Sequence, residues 1–541
     1  MNGLAQFLRR LSTSLCTPAV ALFLLWPASL AGQQEVEIPD TQLPVTEENL
    51  AKGKQIYTER CSFCHGEDGD GNGPVADYLY PRPRDFTLAV FKFRTTRDGD
   101  PPLDRDLYRT ISRGIPGTAM PAWGTLLTEE ERWQVIYYIK EFGADFFEGI
   151  EPQVVELGDR LSASEEVIAR GRKIFEKMKC GECHGEQGRG DGTSSGTLTD
   201  DWGYRIYPFN LAEAWKFKGG SRAEDIYMRF TTGVNGTPMP NFALNLSEEE
   251  RWQLAHYITS IARDEKAGSE VVLVSRRRVG DLPKDPDDPA WQQVKALAIP
   301  LAGQVITKPR WQNHSISTVY VRSMYNADEI AFLIEWDDRS KNVTHDSSAV
   351  DLEALMADTY VPASHLFEQK NLRDAICLQF PVKIPDGPEK PHFFWGQVGK
   401  KVNLWKWHAD RAETGNRAGA VLEMNGTGYK NPLQPQPDSS QTTFSASKWS
   451  QGVWRVVVWR SRKTRDRAND IQFEPGKLIP LAVQAWDGSR GETGKIMSLS
   501  AWAYVTLESS NTLTAYLFGF LGVLVAGFFE LWCVRRVRQR T

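Results

Sequence analysis

Two five-residue phrases in the sequence could do chemistry: Cys61-Ser-Phe-Cys64-His65 and Cys180-Gly-Glu-Cys183-His184. Two thiols at that spacing can reach the two vinyl groups on one porphyrin edge. The imidazole that follows is then held under the iron. The pattern therefore reads as covalent c-type haem attachment. A zinc site would want four N/S ligands closing on one ion. A redox dithiol would not require His directly after the second Cys. Of the 7 cysteines, the remaining three are Cys16, Cys377 and Cys533. Cys16 falls in a leader segment, and the other two read as plain apolar residues.

Haem iron held by one imidazole takes a second axial ligand, commonly a distant Met or His. Met120 sits in Gly117-Thr-Ala-Met120-Pro-Ala-Trp123, and Met239 in Gly236-Thr-Pro-Met239-Pro-Asn241. The proline after each Met fixes φ and removes a donor, which makes a stiff loop that can hold a thioether in place. A lone Met could equally be filling a gap in a core, but the spacing decides. Cys61 to Met120 and Cys180 to Met239 are each 59 residues, and the phrases around Trp133 and Trp252 share the same offset of 119. Ala51-Lys-Gly53-Lys-Gln-Ile-Tyr57 also matches Ala169-Arg-Gly171-Arg-Lys-Ile-Phe175, with a slip of one residue. This is a tandem duplication of a domain-sized unit, not a solenoid. Arg82 and Arg84 in the first unit could pair with haem propionates. The corresponding stretch of the second unit, Tyr207-Pro-Phe-Asn210, has no arginine.

The elements that must position these residues are helices. Glu47–Arg60 and Ser164–Lys179 read as amphipathic helices leading into the cysteines. Thr128-Glu-Glu-Glu131 and Ser247-Glu-Glu-Glu250 read as capping boxes that start the closing helices, which run on through Tyr138 and Tyr257. The order of helix, C-x-x-C-H, long loop, Met and closing helix resembles the class I cytochrome c family over 46–145 and 163–265. The resemblance implies two covalently bound haems c. Their attachment residues would be Cys61, Cys64, Cys180 and Cys183, and their iron ligands His65 with Met120 and His184 with Met239.

Residues 266–290 read as a charged, Pro- and Asp-rich linker, with Arg276-Arg-Arg278 and Asp285-Pro-Asp-Asp-Pro289. Beyond it, short runs rich in Val, Ile, Tyr and Trp alternate with Asn, Asp, Gly and Pro clusters: Thr318–Arg322, Glu329–Trp336, Ile376–Val382, Gly452–Trp459 and Leu478–Trp486. They predict antiparallel strands in a sandwich or barrel. Asp287-Asp-Pro-Ala-Trp291, Ala331-Phe-Leu-Ile-Glu-Trp-Asp337, Asp374-Ala-Ile-Cys-Leu-Gln-Phe-Pro381, Val402-Asn-Leu-Trp-Lys-Trp407 and Gln484-Ala-Trp-Asp-Gly488 resemble the haem-binding γ subunits associated with ethylbenzene dehydrogenase, over 286–508. That family implies a β-sandwich holding one haem b between a Met and a Lys, and a partner iron–sulfur subunit. Lys495 fits the late lysine. Where the family has its Met, this sequence reads Phe393-Phe-Trp395-Gly396. Tryptophan nitrogen is donor-only and cannot ligate iron, so either the haem b is lost here or another residue serves, such as His392, His408 or Met424.

Two apolar segments frame the chain. Arg9 and Arg10, the run Ala19–Trp26 and Ser29-Leu30-Ala31 predict a signal peptide over 1–31. Leu513–Val534, apolar apart from Glu530, predicts a single transmembrane helix. Arg535, Arg536, Arg538 and Arg540 predict a cytoplasmic tail over 535–541, with the bulk of the chain periplasmic at the cytoplasmic membrane. The expected fold is thus multidomain: two small all-α cytochrome c domains, an all-β sandwich and one C-terminal transmembrane helix.

The 541 residues carry a formal charge of −5, which gives no reason to expect nucleic acid as a partner. Hydrophobic residues at 41% and charged residues at 25% exclude wholesale disorder. No Gly-rich phosphate loop follows a strand, no nucleophile triad stands out, and no cysteines are spare for an iron–sulfur cluster, so no catalytic residues are assigned. Together the resemblances are to an enlarged γ subunit of the nitrite oxidoreductase type. They imply partner subunits bearing molybdenum and iron–sulfur centres, and electron exchange with the quinone pool or with cytochrome and oxidase partners. A free-standing anchored dihaem cytochrome is the alternative. A dihaem peroxidase would need an open iron position, against which Met120 and Met239 argue.

Overall fold

The computed structural model describes residues 37–39, 41–263, 268–346, 348–351, 355, 360–368, 371–414, 419–509 and 512–539. The expected signal peptide over 1–31, with Cys16, lies outside the described residues.

The first unit begins at Thr46, whose hydroxyl accepts from the Asn49 N–H at 3.2 Å and so caps α1 (Glu47–Arg60). A single turn, α2 (Ser62–His65), follows at once and carries Cys64 and His65. After a long loop come α3 (Asp104–Arg113) and α4 (Glu129–Glu141). The capping box of α4 forms as expected: Glu131 N–H donates to Thr128 Oγ1 at 3.2 Å and Thr128 N–H to Glu131 Oε2 at 2.8 Å. Helix α1 crosses α4 at Gly53, where a Cβ would lie 2.1 Å from the Gln134 carbonyl oxygen. A glycine in a helix interior costs about 1 kcal/mol against alanine. Here it is required, because the two backbones touch.

The second unit repeats this plan with α5 (Glu165–Lys177), α6 (Gly181–His184), α7 (Ala223–Thr232) and α8 (Glu248–Ser260). Ser164 serves as the cap of α5 instead of its first residue. The crossing glycine recurs as Gly171, whose Cβ would lie 2.0 Å from the Gln253 carbonyl. Both closing helices bury a Trp against a Tyr of the preceding helix: Trp133 on Tyr108 at 4.4 Å and Trp252 on Tyr227 at 4.8 Å.

The remainder is one mixed sheet. Its strands are β1 (Val272–Arg277), β2 (Leu297–Pro300), β3 (Ala302–Gly303), β4 (Thr318–Tyr325), β5 (Glu329–Asp337), β6 (Ala375–Pro381), β7 (Val402–His408), β8 (Val421–Gly426), β9 (Gln434–Pro435), β10 (Phe444–Ser450), β11 (Val453–Ser461), β12 (Leu478–Trp486), β13 (Ser498–Leu499) and β14 (Ala503–Leu507). The order is β10-β11-β5-β4-β1-β14-β12-β6-β7-β8-β9, with β2 on β4, and β13 on both β12 and β3. The two arms face each other across a shared core. Phe332 of β5 meets Phe380 of β6 and Trp405 of β7 at 5.7 and 6.0 Å, and Trp407 of β7 meets Trp454 of β11 at 5.0 Å.

Three expectations are corrected here. The domain is not purely antiparallel, since β1 pairs in parallel with both β14 and β4. That strand lies in the stretch read as a linker: it buries Leu273 and Ser275 and exposes Val272 and Val274, so its apolar residues do not mark the buried face. The expected C-terminal transmembrane helix over 513–534 is not supported. A helix does run from Thr512 to Arg538, but among the described residues none is long and apolar enough to cross a membrane. The helix carries Glu530 within its apolar run and Arg535, Arg536 and Arg538 in its last turn. The side chains of 512–515 and of Cys533 and Val534 lie outside the described residues. The expected single-pass location in the cytoplasmic membrane, with a cytoplasmic tail over 535–541, falls with the span on which it rested.

Candidate haem sites

In the first unit, one cavity is lined by Cys61, Cys64 and His65 together with Met120, 59 residues away in sequence. Apolar residues of two helices close around them, Leu107 and Ile111 of α3 and Val135 and Ile139 of α4. The His65 Nδ1–H donates to the Arg84 carbonyl at 2.9 Å. A carbonyl can only accept, so the bond fixes the tautomer and leaves the Nε2 lone pair for a metal. Burial lowers the His65 pKa, which favours the same neutral form.

The Met loop is stapled rather than merely extended. Ile115 N–H donates to the Met120 carbonyl at 3.1 Å. The Thr118 hydroxyl donates to the Ile115 carbonyl at 2.8 Å and accepts from the Met120 N–H at 3.1 Å. Gly114, at φ 67°, sits against the backbone of Pro121 and Ala122, where any side chain would collide.

The second unit reproduces these contacts. The His184 Nδ1–H donates to the Phe209 carbonyl at 3.0 Å, and burial lowers the His184 pKa too. Val234 N–H donates to the Met239 carbonyl at 3.2 Å, and the Thr237 hydroxyl donates to the Val234 carbonyl at 2.7 Å. Cys180 and Met239 pack on one apolar cluster with Ile174, Phe175 and Phe230.

Burial pushes the Cys61 thiol up to about 12 and Cys180 to about 11. Reactive dithiols work through lowered pKa values, so the redox-dithiol reading does not fit. Nor does zinc. Among the described residues, the group with metal-ligand spacing is Asp338, Asp374 and Asp487, which contains no cysteine. Burial and mutual repulsion raise the Asp338 and Asp374 carboxyls well above the usual range, which favours their protonated form.

The sheet domain does not present the expected axial pair. Lys495 lies in the turn between Thr493 and Ile496, and its carbonyl accepts from Gln304 at 3.0 Å. Trp395 is buried in a packed cluster with Phe394, Met424, Trp486 and Met497. Met424 shares that cluster, and His392 packs on Phe393 and Tyr429 at its edge. Trp486 of the same cluster donates through Nε1 to the Gly494 carbonyl, beside Lys495. His392 accepts through Nδ1 from the Phe394 N–H at 3.1 Å, and His408 is buried at the end of β7, where neither ring nitrogen has a partner among the described residues. Cys377 is a buried strand residue, as expected.

A cytochrome c family model matches residues 168–262, a model for cytochrome c oxidase, cbb3-type, subunit III matches 48–139, and an ethylbenzene dehydrogenase model matches 288–443. Two cytochrome c domains therefore precede an ethylbenzene dehydrogenase-type domain in this chain. The cytochrome c domains carry covalently bound haem c, the third domain is of a haem-binding type, and the chain is a multihaem electron-transfer protein. A protein of Haloferax mediterranei named for the heme subunit ORF7 of respiratory nitrate reductase is 24% identical over 41% of this chain and 67% of its own length. The cbb3-type cytochrome c oxidase subunit CcoP of Azospirillum sp. (strain B510) is 26% identical over 39% of this chain and 62% of its own. The chain thus spans about two thirds or less of the length of these relatives. A chain of the Kuenenia stuttgartiensis reducing HAO-like protein complex is 47% identical, covering 42% of this chain and 100% of that one, at a TM-score of 0.39.

Several positioning contacts were not legible in the sequence. The second haem loop grips the sheet domain: Asn210 Nδ2 donates to Asp337 Oδ2 at 2.8 Å, and Arg339 donates to the Pro208 carbonyl at 3.0 Å. Arg189 and Arg263 also meet Asp337. The signal was present only as Trp-Asp-Asp-Arg339 at the end of a predicted strand. Tyr80 of the first unit, Tyr207 of the second and Phe367 of the third domain form an aromatic knot. Its ring separations are 6.3 Å for the two tyrosines and 5.4 Å from each to Phe367.

Proposed function

We propose that this protein is the electron-relay subunit of a respiratory molybdoenzyme complex, of the nitrite oxidoreductase or DMSO reductase type. It would carry electrons between iron–sulfur and molybdenum-bearing subunits and the respiratory chain. Cys61 with Cys64, and Cys180 with Cys183, are the attachment pairs. His65 with Met120, and His184 with Met239, are the axial ligands. The observation that carries this reading is the single cavity gathering Cys61, Cys64, His65 and Met120, with the imidazole already turned by its bond to Arg84. When bound, the haems supply one-electron redox chemistry, and a thioether ligand raises their potential. The chain's own part is to hold and orient. The carbonyls of Arg84 and Phe209 fix the imidazoles, the hydroxyls of Thr118 and Thr237 set the Met loops, and the apolar walls exclude water. His65 with Met120, and His184 with Met239, would hold the irons from both sides, in place of a small substrate.

Lys495 is the residue we assign to a haem b if the sheet domain holds one. Trp395 supplies no partner ligand, and the relay is not routed through it. The names of the Haloferax relative and of the Kuenenia complex support partnership with redox enzymes. Native copurification with metal analysis tests the proposal. The expected result is two pyridine-haemochrome c haems per chain, migrating with molybdenum and iron–sulfur subunits. A chain that runs alone with both haems would overturn the complex in favour of a free shuttle.

A further inference from the structure

The two cytochrome units differ most between the imidazole and the Met loop. Gly71 and Gly190 are equivalent: each has positive φ, 78° and 74°, and a Cβ on either would lie 2.9 or 2.8 Å from the carbonyl of Pro83 or Pro208. From glycine to proline is 12 positions in the first unit and 18 in the second. The longer loop of the second unit is pinned by a bridge between Thr199 and Arg205, and it reaches across to the first unit. Trp202 lies 4.5 Å from the Arg84 guanidinium and donates through Nε1 to Asp85 at 3.2 Å. Tyr204 lies 4.5 Å from the Arg82 guanidinium.

Arg84 lines the first haem cavity, as does Lys92. So does Lys218, which belongs to the second unit. Among the described residues, neither Lys92 nor Lys218 meets a carboxylate. Burial, and then the neighbouring cations, hold Lys92 down to about 7 and Lys218 to about 8. Asp200, Asp85 and Asp201 act on Arg84, and Asp200 acts more weakly on Lys92, but buried ammonium groups that no carboxylate contacts are costly unless something pairs with them. The proposed occupant of this cavity brings two carboxylates of its own.

We propose that Arg84, Lys92 and Lys218 clamp the propionates of the first haem, so that the second cytochrome unit completes the cofactor site of the first. The inference rests on the haem assignment above. The Trp202 ring stacks on Arg84 and holds its guanidinium in place. Propionate charge favours ferric iron, and paired cations offset it, so the clamp raises the potential of the first haem alone.

The test is a spectroelectrochemical titration of the full-length holoprotein as wild type, Lys218→Met and Lys218→Arg. The wave belonging to the first haem is identified by its loss of Met ligation in Met120→Ala. In Lys218→Met the first midpoint should fall while the second stays in place, and Lys218→Arg should restore it. An unchanged first midpoint, or an equal drift of both, would overturn the clamp. Haem content read alongside separates the two claims, because missing haem counts against the assignment and intact haem with no shift counts against the clamp. Should Lys218→Met fail to accumulate, Lys92→Met must lower the same wave alone.

Discussion

The two cytochrome units make the same contacts around the imidazole and the Met loop but turn different faces outward. In both, the imidazole donates to a backbone carbonyl, from Arg84 in one and Phe209 in the other. Any residue has a carbonyl, so the side chain at that position is free to change without disturbing the ring. The first unit uses that freedom for a cation on its cavity wall. The second packs a half-buried Phe209 against apolar neighbours, and gives the flanking Pro208 carbonyl and Asn210 amide to the sheet domain. Duplication has kept what positions the ligand candidates and let the outward surface specialise, one unit toward its twin and the other toward the third domain.

The sharpest way to break this comparison is to remove one thiol of an attachment pair. Cys61→Ser or Cys180→Ser should each remove one covalent haem and spare the other, giving half the acid-stable haemochrome. Retention of both in either variant would refute the attachment sites. Next come the crossing glycines. Gly53→Ala and Gly171→Ala place a Cβ about 2 Å from a backbone oxygen, and overpacking costs about 1–3 kcal/mol. Each should lower the melting temperature of its own unit, and equal penalties would confirm that the crossings are equivalent. Met120→Ala and Met239→Ala should each open one iron to added imidazole and lower its potential, leaving the other wave untouched. The smallest effect belongs to Arg339→Ala. Loss of its bond to Pro208, and of a positive charge that acts on His184, should lower the second midpoint slightly and leave the first alone. Movement of the first wave instead would show that the sheet does not grip the units selectively.

How far the sequence could be read depended on the range of the interactions. The capping boxes at Thr128 and Ser247 and the turn of the Met loops depend on neighbours a few residues away, and they stand where the spacing put them. Strands β5 and β12 begin as their alternation predicts. Strand β1 was missed because its pairing partners, β14 and β4, lie far along the chain and its apolar residues do not mark the buried face. Arg82 meets Asp77 and Asn72, and Arg84 is stacked by a tryptophan more than a hundred residues away. Such contacts leave no local periodicity. The apolar run near the end of the sequence shows the opposite failing, since composition alone suggested a role that the described residues do not bear out.

The knot of Tyr80, Tyr207 and Phe367 has a kinetic consequence. It is tightened from outside: Arg490 lies 3.5 Å from the Tyr207 ring, and the Tyr80 hydroxyl accepts from the Tyr207 amide at 3.0 Å. A joint that ties all three domains at one point opposes the swing of any one of them. Electron hopping between the irons would then need no docking stroke, and thickening the solvent with glycerol should leave its rate unchanged.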